Sequence, residues 1–193
     1  STAMRYGTLS IGAAEMAVNT AATAQMARYY NLPSRSGGAL TDSKICDSQA
    51  GAESMMGQLM ATLSGINLVL HSAGILETYM VASYEKFILD DEICGMVKRI
   101  KKAYEVNADT LALDVIKKVG PGGTFITESH TLEHFKQELY FSKIVDQDQR
   151  ETWEKGGRKG MLERARQEAL PPARWQVDWT ADGRGACANF SRP

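Results

Sequence analysis

The chain has 193 residues and a formal net charge of −1, with 44% hydrophobic and 23% charged residues. This composition is typical of a globular protein, and the balanced charge excludes a basic surface for nucleic acid or an anionic membrane. No apolar run approaches the roughly 20 residues that span a bilayer, and no secretory signal pattern opens the chain. Because the three cysteines are widely spaced, they fit a reducing compartment, and we expect a cytoplasmic protein.

The first predicted elements are a helix and a short extended segment. Apolar and alanine side chains recur every four residues and predict a helix over residues 12–30. Its many alanines favour close packing against a flat surface such as a sheet. Pro33 ends the helix, because proline disfavours helical geometry at the residue before it. Residues 34–40, which contain paired glycines, are predicted to be extended.

A second helix and a second strand follow. Asp47 or Ser48 is expected to cap the helix, and apolar residues spaced by three and four from Met56 to Leu63 form its inner stripe. Residues 66–70 are short, branched and bounded by glycines, which predicts a buried strand. The alternation of helix and strand is typical of βαβ units with a parallel sheet and therefore predicts an α/β fold.

The remainder of the chain is predicted to be helical. One helix starts at Ser83, and a shorter one starts at Asn107 with Leu111, Val115, Ile116 and Val119 facing inward. These two helices are predicted over residues 83–104 and 107–119, and two further helices over residues 131–139 and 149–169. Residues 176–193 have no usable periodicity and are treated as a tail.

Two polar loops follow the two predicted strands. Asp42 comes after the first strand and is suited to bind a cationic group, although an ordinary turn with a helix cap is the alternative. His71 and Glu77 come after the second strand. Because parallel strands place their carboxyl ends at one edge of a sheet, where ligands bind in α/β folds, we expect these side chains to lie close together.

A third candidate is the H-x-x-E-H string formed by His130, Glu133 and His134. On a helix the two imidazoles would share a face, as one class of zinc peptidase requires, with Glu138, Asp146 or Glu151 as a downstream third ligand. A five-residue match arises easily by chance. We therefore favour a helix opening with exposed histidines over a zinc hydrolase, and we assign no metal ligand.

Nine segments taken together resemble the trimethylamine methyltransferase family, and the resemblance is nearly continuous from about residue 5 to residue 170. The matching segments are LSIGAAE at 9–15, YNLPSRSGG at 30–38, DSK at 42–44, QAGAESM at 49–55, HSAGILE at 71–77, SYEKF at 83–87, DDEI at 90–93, LDVI at 113–116 and GPGG at 120–123. So many matches in order are far more specific than any single motif.

The resemblance implies the C-terminal part of a (β/α)8 TIM barrel with extra C-terminal helices, since a complete barrel needs about 250 residues. The implied domains are residues 1–126 with βα units of a partial barrel, residues 127–172 as a helical extension, and residues 173–193 as the tail. It implies demethylation of a methylated amine, with the methyl group passing to the cobalt of a corrinoid (cobalamin) carried by a partner protein. No tightly bound cofactor of the chain's own is expected.

The implied substrate is a quaternary amine such as glycine betaine, because the chain contains standard residues and so resembles the branch of the family without pyrrolysine. On this basis His71 is expected to contact the substrate carboxylate, Asp42 and Glu77 to be polar groups of the pocket, and Tyr79 to face the cation. No residue is assigned a catalytic role. A half barrel exposes apolar edges, so a homo-oligomer is expected, and the alternative is a non-catalytic fragment that oligomerises or binds the corrinoid protein.

Overall fold

The computed structural model describes residues 2–169, so the predicted tail lies outside the described residues. Helices predominate, and the strands are short. The helices are α1 (Ala14–Tyr29), α2 (Ser48–Leu63), α3 (Tyr84–Lys102), α4 (Ala108–Leu111), α5 (Leu113–Val119), α6 (Ser129–Glu138), α7 (Arg150–Lys155) and α8 (Met161–Ala169). The strands are β1 (Thr2–Ala3), β2 (Thr8–Leu9), β3 (Arg35–Gly37), β4 (Leu68–Leu70), β5 (Ile75–Leu76) and β6 (Val81–Ala82).

The β3–α2–β4 segment is a parallel βαβ unit, which confirms the predicted α/β character. Arg35 pairs with Leu68 and Gly37 with Leu70 in a parallel register. The Asp47 side chain caps α2 by accepting a hydrogen bond from the backbone N–H of Ala50 at 3.0 Å. Because β3 and β4 are parallel, both strands end at the same edge of the sheet, and the loops that follow them start at that edge.

Small side chains allow α1 and α2 to pack closely against each other, and α2 in turn packs over β3 and β4. The alanine-rich pattern favoured a sheet as the partner of α1, whereas its main partner is α2. Ala24 of α1 and Ala61 of α2 are both fully buried and contact Ile66 and Val69. Packing then continues from α2 to α3 and from α3 to α8. Within residues 2–169, no helix combines the length and apolar character that crossing a membrane requires.

The strand prediction needs two corrections. The second strand spans Leu68–Leu70 and is not buried, since the Leu68 side chain is 54% exposed. Among the described residues its sheet contains two strands only, so one edge of each strand has no strand beside it. Two short antiparallel pairs, β1 with β2 and β5 with β6, were not predicted from the sequence.

Two predicted helices are each broken in two. The helix starting at Asn107 breaks at Ala112, which adopts a left-handed conformation with φ of 48°. Leu111 and Ile116 are consequently about half exposed and do not face inward as predicted. The helix predicted over residues 149–169 breaks after Lys155, because Gly156 and Gly157 end α7. By contrast, α6 matches its predicted range within two residues.

Gly57 is the point of close approach between α2 and the segment after β3. A Cβ atom at Gly57 would overlap the backbone carbonyl oxygen of Gly38, whereas a Cβ atom at Gly51 on the same helix would meet nothing within 4 Å. We expect Gly57→Ala to lower the free energy of unfolding by about 1–3 kcal/mol through overpacking. Gly51→Ala should instead raise it by up to about 1 kcal/mol, because alanine favours the helix.

Urea denaturation of the two variants checks this prediction, since both replace a glycine of α2 by alanine and differ in what the new methyl group contacts. Equal stabilisation by both substitutions would show that α2 does not approach Gly38 as closely as the structure has it.

Candidate functional site

The loops after β3 and β4 meet at the carboxyl end of the two parallel strands, as predicted. The backbone N–H of Glu77 donates to the carbonyl oxygen of Ser43 at 2.8 Å, and that of Thr78 donates to the carbonyl oxygen of Thr41 at 3.1 Å. Asp42 lies between these two contacts. The structure thus brings together the two loops that contain all four residues predicted for the substrate site.

The Asp42 carboxylate accepts three hydrogen bonds from two separate segments. Its donors are the Ser10 hydroxyl at 2.5 Å, the Ile11 backbone N–H at 2.9 Å and the Thr78 hydroxyl at 2.9 Å. Burial raises the pKa of Asp42, but the hydrogen bonds from Ser10, Ile11 and Thr78 outweigh burial and hold the pKa below its ordinary value of 3.8. Asp42 therefore fixes the two loops and the segment before α1 relative to one another.

This arrangement predicts a pH dependence of stability. Because the pKa of Asp42 is lowered on folding, its contribution is present above the ordinary pKa and is lost as the pH falls through the folded value. We expect the difference in Tm between the natural chain and Asp42→Asn to be constant near pH 6 and to shrink below about pH 4. Thermal unfolding from pH 6 to pH 3 measures it, with Asp114→Asn as a control because the Asp114 side chain is fully exposed. A difference that persists unchanged at pH 3 would contradict the assignment.

Glu53 is a residue of this site that was not singled out from the sequence. Its carboxylate accepts hydrogen bonds from the Thr41 hydroxyl at 2.6 Å, the Asp42 backbone N–H at 2.8 Å and the Gln49 side chain at 2.9 Å. The buried face of α2 consists of Ala50, Ser54, Gln58 and Ala61, and Leu63 is 58% exposed, so the predicted inner stripe from Met56 to Leu63 is wrong. Glu53 borders the buried face, and no local sequence pattern indicated its role.

His71 and Tyr79 lie side by side at the open edge of the site. Their rings meet edge to face with centroids 5.0 Å apart, and both residues are exposed. Among residues 2–169, neither the imidazole nor the phenol group has a hydrogen-bond partner. Both side chains are therefore available to a ligand.

The backbone at this edge is strained. His71 has a φ of 51°, and the consecutive residues Glu77, Thr78 and Tyr79 have φ values of 48°, 53° and 76°. Left-handed conformations cost side chains other than glycine about 1–2 kcal/mol each, and such strain clusters at binding and catalytic sites. Within the described part of the chain, the Glu77 carboxylate has no hydrogen-bond or ion-pair partner.

A buried ion pair supports the second loop from beneath. The Lys86 ammonium group lies 2.5 and 2.6 Å from the two Asp90 carboxylate oxygens and 2.7 Å from the Ser54 hydroxyl. Burial raises the pKa of Asp90, and the positive charge of Lys86 opposes that rise. Asp90 also accepts a 2.8 Å hydrogen bond from the backbone N–H of Gly74. The pair thus anchors the loop between His71 and Glu77.

The side chains at this edge offer groups that can recognise a ligand. His71 offers a hydrogen-bond donor for an anionic group, while Glu77 and the face of Tyr79 offer attraction for a cation. Asp42 and Glu53 are already satisfied by hydrogen bonds from the protein. Within residues 2–169, three side chains bring potential metal-ligand atoms together at a different place. They are Asp109 of α4 and His130 and His134 of α6.

Comparison with known proteins matches this chain to methyltransferases. Residues 1–170 match the family model described as trimethylamine methyltransferase (MTTB). A glycine betaine methyltransferase of Desulfitobacterium hafniense (strain Y51) is 50% identical over 173 residues, which are 90% of this chain and 35% of that protein.

Two further relatives have different substrates in their names. The trimethylamine methyltransferase MttB of Desulfitobacterium hafniense (strain DSM 10664 / DCB-2) is 39% identical over 86% of this chain and 33% of its own length. A proline betaine:corrinoid methyltransferase of Eubacterium limosum is 38% identical over 75% of this chain and 30% of its own length. The chain thus spans about a third of the length of these relatives. The family match over residues 1–170, which include all the described residues, shows that the chain belongs to the trimethylamine methyltransferase family.

Proposed function

We propose that this chain is part of a methyltransferase that moves a methyl group from a quaternary amine, such as glycine betaine, to the cobalt of a corrinoid carried by a partner protein. Membership of the family and the 50% identity to a glycine betaine methyltransferase support the reaction class and the substrate. The observation that carries the proposal is the open edge, where His71, Glu77 and Tyr79 have side chains without hydrogen-bond partners in the described part of the chain.

The three unpartnered groups complement a betaine. A betaine has a carboxylate at one end and a quaternary ammonium group at the other, and the ammonium group has no proton to exchange. His71 donates a hydrogen bond to the carboxylate, while Tyr79 and Glu77 attract the cation. We assign Asp42 as a polar group of the pocket that holds the loop containing Thr78, because the Thr78 hydroxyl donates a hydrogen bond to its carboxylate. The protein's task is then to orient the methyl group for transfer rather than to supply an acid or base.

The open edge also suits a cofactor that is presented by another protein. A corrinoid supplies a cobalt nucleophile that accepts the methyl group. Tyr79, Met80 and Val81 are 45%, 78% and 40% exposed, so the site borders an apolar surface. That surface fits contact with a partner's corrinoid, with the chain itself holding no cofactor tightly.

The same reasoning extends to the architecture. The parallel β3–α2–β4 unit supports a partial (β/α)8 barrel within residues 1–126, and the helices after Ile126 support a helical extension over residues 127–172, of which 170–172 lie outside the described residues. We also propose a homo-oligomer, because many large apolar side chains of the described residues are exposed and would be covered by a second copy. The cytoplasm is the proposed compartment, because the widely spaced cysteines fit a reducing environment.

A second candidate function rests on the exposed apolar surface. Met80 and Val81 are exposed, so the chain is also suited to be a non-catalytic fragment that binds the corrinoid protein or oligomerises. Turnover distinguishes the two functions, because a fragment of this kind would bind a partner without moving a methyl group.

The proposed function is tested by methyl transfer to free cob(I)alamin. The purified chain is mixed with trimethylamine, glycine betaine, carnitine or proline betaine, and consumption of cob(I)alamin is followed by absorbance. Turnover with glycine betaine is the expected result. If no donor reacts, the assay is repeated with a chimera in which this chain replaces the matching third of the Desulfitobacterium hafniense glycine betaine methyltransferase. An active chimera and an inactive chain would show that this chain is a working part of a methyltransferase that needs the rest of the relative's length. A chimera that is folded but inactive would refute the first function and favour the non-catalytic fragment.

A further inference from the structure

Asp109, His130 and His134 form a cluster on elements that contribute nothing to the candidate substrate site. The two histidines lie one turn apart on α6, and Asp109 belongs to α4. Their potential ligand atoms all lie within 4.8 Å of one another. The H-x-x-E-H string had suggested a third ligand downstream of the histidines, whereas the fold supplies an acid from 21 residues upstream of His130.

The geometry of the cluster is convergent. The Asp109 carboxylate places one oxygen 3.0 Å from Nε2 of His134 and the other 3.8 Å from Nε2 of His130. The two imidazole rings have centroids 4.4 Å apart. One carboxylate thus faces both histidines at once. Nε2 of His130 also donates a hydrogen bond to the backbone carbonyl oxygen of Asp109 at 2.9 Å, so a metal ion bound at Nε2 would replace this hydrogen bond.

The surroundings hold this arrangement in place. Asn107 and Thr110 form a capping box with two reciprocal hydrogen bonds of 2.9 Å, and this box fixes the short turn that contains Asp109. The side chains of His130 and His134 are only 24% and 30% exposed, so both are partly held by their neighbours. A site whose ligands are already positioned loses less entropy when an ion binds.

The donor set selects a class of ion. Two imidazole nitrogens and one carboxylate suit Zn²⁺ and neighbouring divalent transition metals, and they do not suit Ca²⁺ or Mg²⁺, which prefer oxygen ligands. Three protein ligands leave one tetrahedral position for a water molecule or another small ligand. Both histidines also line a cavity of about 270 Å³ that is bordered by Tyr104, Thr110 and Glu138 and gives room for that ligand.

We propose that Asp109, His130 and His134 bind a zinc-class divalent transition metal ion. Glu138 is not a ligand in this proposal, because its carboxylate already pairs with Arg99 at 3.0 Å and with Lys102 at 3.2 Å. The metal ties α4 to α6, and its binding does not depend on methyl transfer.

Titration with Co²⁺ and Zn²⁺ tests the proposal on the full-length chain without an affinity tag. Co²⁺ is expected to produce the intense visible absorption of a four-coordinate ion at one equivalent, and Zn²⁺ is expected to displace it. Zn²⁺ in hundredfold excess over its Kd should raise Tm by roughly 5–10 °C. A chain that gives no such absorption and no zinc-dependent change in Tm would overturn the proposal and leave the cluster as a hydrogen-bonded contact between two helices.

Matched variants identify the ligands. His134→Ala and Asp109→Asn should each weaken Zn²⁺ binding by at least about tenfold, since even residues that only support a ligand commonly contribute that much. His71→Ala removes the third histidine of the chain, and Asp114→Asn removes an exposed carboxylate of α5, so both should leave the affinity unchanged.

A substitution that keeps a metal ligand at position 134 shows whether weaker metal binding comes from loss of the ligand or from loss of folding. His134→Cys should still bind Co²⁺ and should add a thiolate-to-cobalt band in the near ultraviolet. Equal weakening by His71→Ala and His134→Ala would assign the metal to another part of the chain and refute the proposed site.

Discussion

Asp90→Ala is expected to lower the free energy of unfolding by about 3–5 kcal/mol, because removing one partner leaves a buried charge without compensation. Lys86 and Asp90 are 1% and 0% exposed, so water cannot replace the missing carboxylate. The substitution also removes the acceptor for the backbone N–H of Gly74. Chemical denaturation in urea measures the loss.

Asp91→Ala is the matched control for this prediction. Asp91 is the next residue of α3 and is exposed, so its replacement should change stability by less than about 0.5 kcal/mol. The double variant Lys86→Met with Asp90→Leu should recover most of the stability, because a buried ion pair can be replaced by apolar side chains of similar volume at little cost. If Asp90→Ala proves as mild as Asp91→Ala, the ion pair does not exist as the structure has it.

The position of this pair makes stability and the site interdependent. Asp90 contacts Gly74, and Gly74 lies between His71 and the strained turn that begins at Glu77. A left-handed turn persists only where its surroundings determine it. The turn is held in this conformation by the Lys86–Asp90 pair on one side and by the hydrogen bond from Thr78 to Asp42 on the other.

The parts of the fold that could be predicted depend on local signals. Asp47 precedes an apolar stripe, and Pro33 follows an alanine-rich one, so the ends of two helices were predictable from a few neighbouring residues. The break at Ala112 has no glycine or proline to announce it and was missed. The exposure of Leu68 was also missed, since it depends on how many strands stand beside β4 rather than on the sequence of β4.

The candidate site was predictable in location and not in detail. A parallel βαβ unit places the loops after its strands at one edge, so the proximity of Asp42 to the loop containing His71 and Glu77 followed from topology. The three donors to the Asp42 carboxylate lie 31 to 36 residues away along the chain, and no local pattern indicates them. For the same reason, the meeting of Asp109 with two histidines on α6 required the structure.

Replacing His71 is expected to affect donors that have a carboxylate and to spare those that lack one. A hydrogen bond to a charged group contributes about 1.5–3 kcal/mol, so loss of the imidazole should raise KM for glycine betaine roughly tenfold or more. KM for trimethylamine should stay within about twofold, because that substrate has no carboxylate for His71 to contact. Steady-state methyl transfer to cob(I)alamin measures both values, in the chain or in the chimera with the Desulfitobacterium hafniense relative.

Two substitutions separate the imidazole from the backbone strain at this position. His71 has a φ of 51°, so His71→Ala keeps a strained backbone, whereas His71→Gly relieves the strain. The two variants should therefore differ in Tm and agree in their effect on KM for glycine betaine. A rise in KM that follows the change in Tm, or one that is equal for trimethylamine, would mean that His71 shapes the turn. A rise common to both variants and confined to betaines would establish His71 as the contact for the substrate carboxylate.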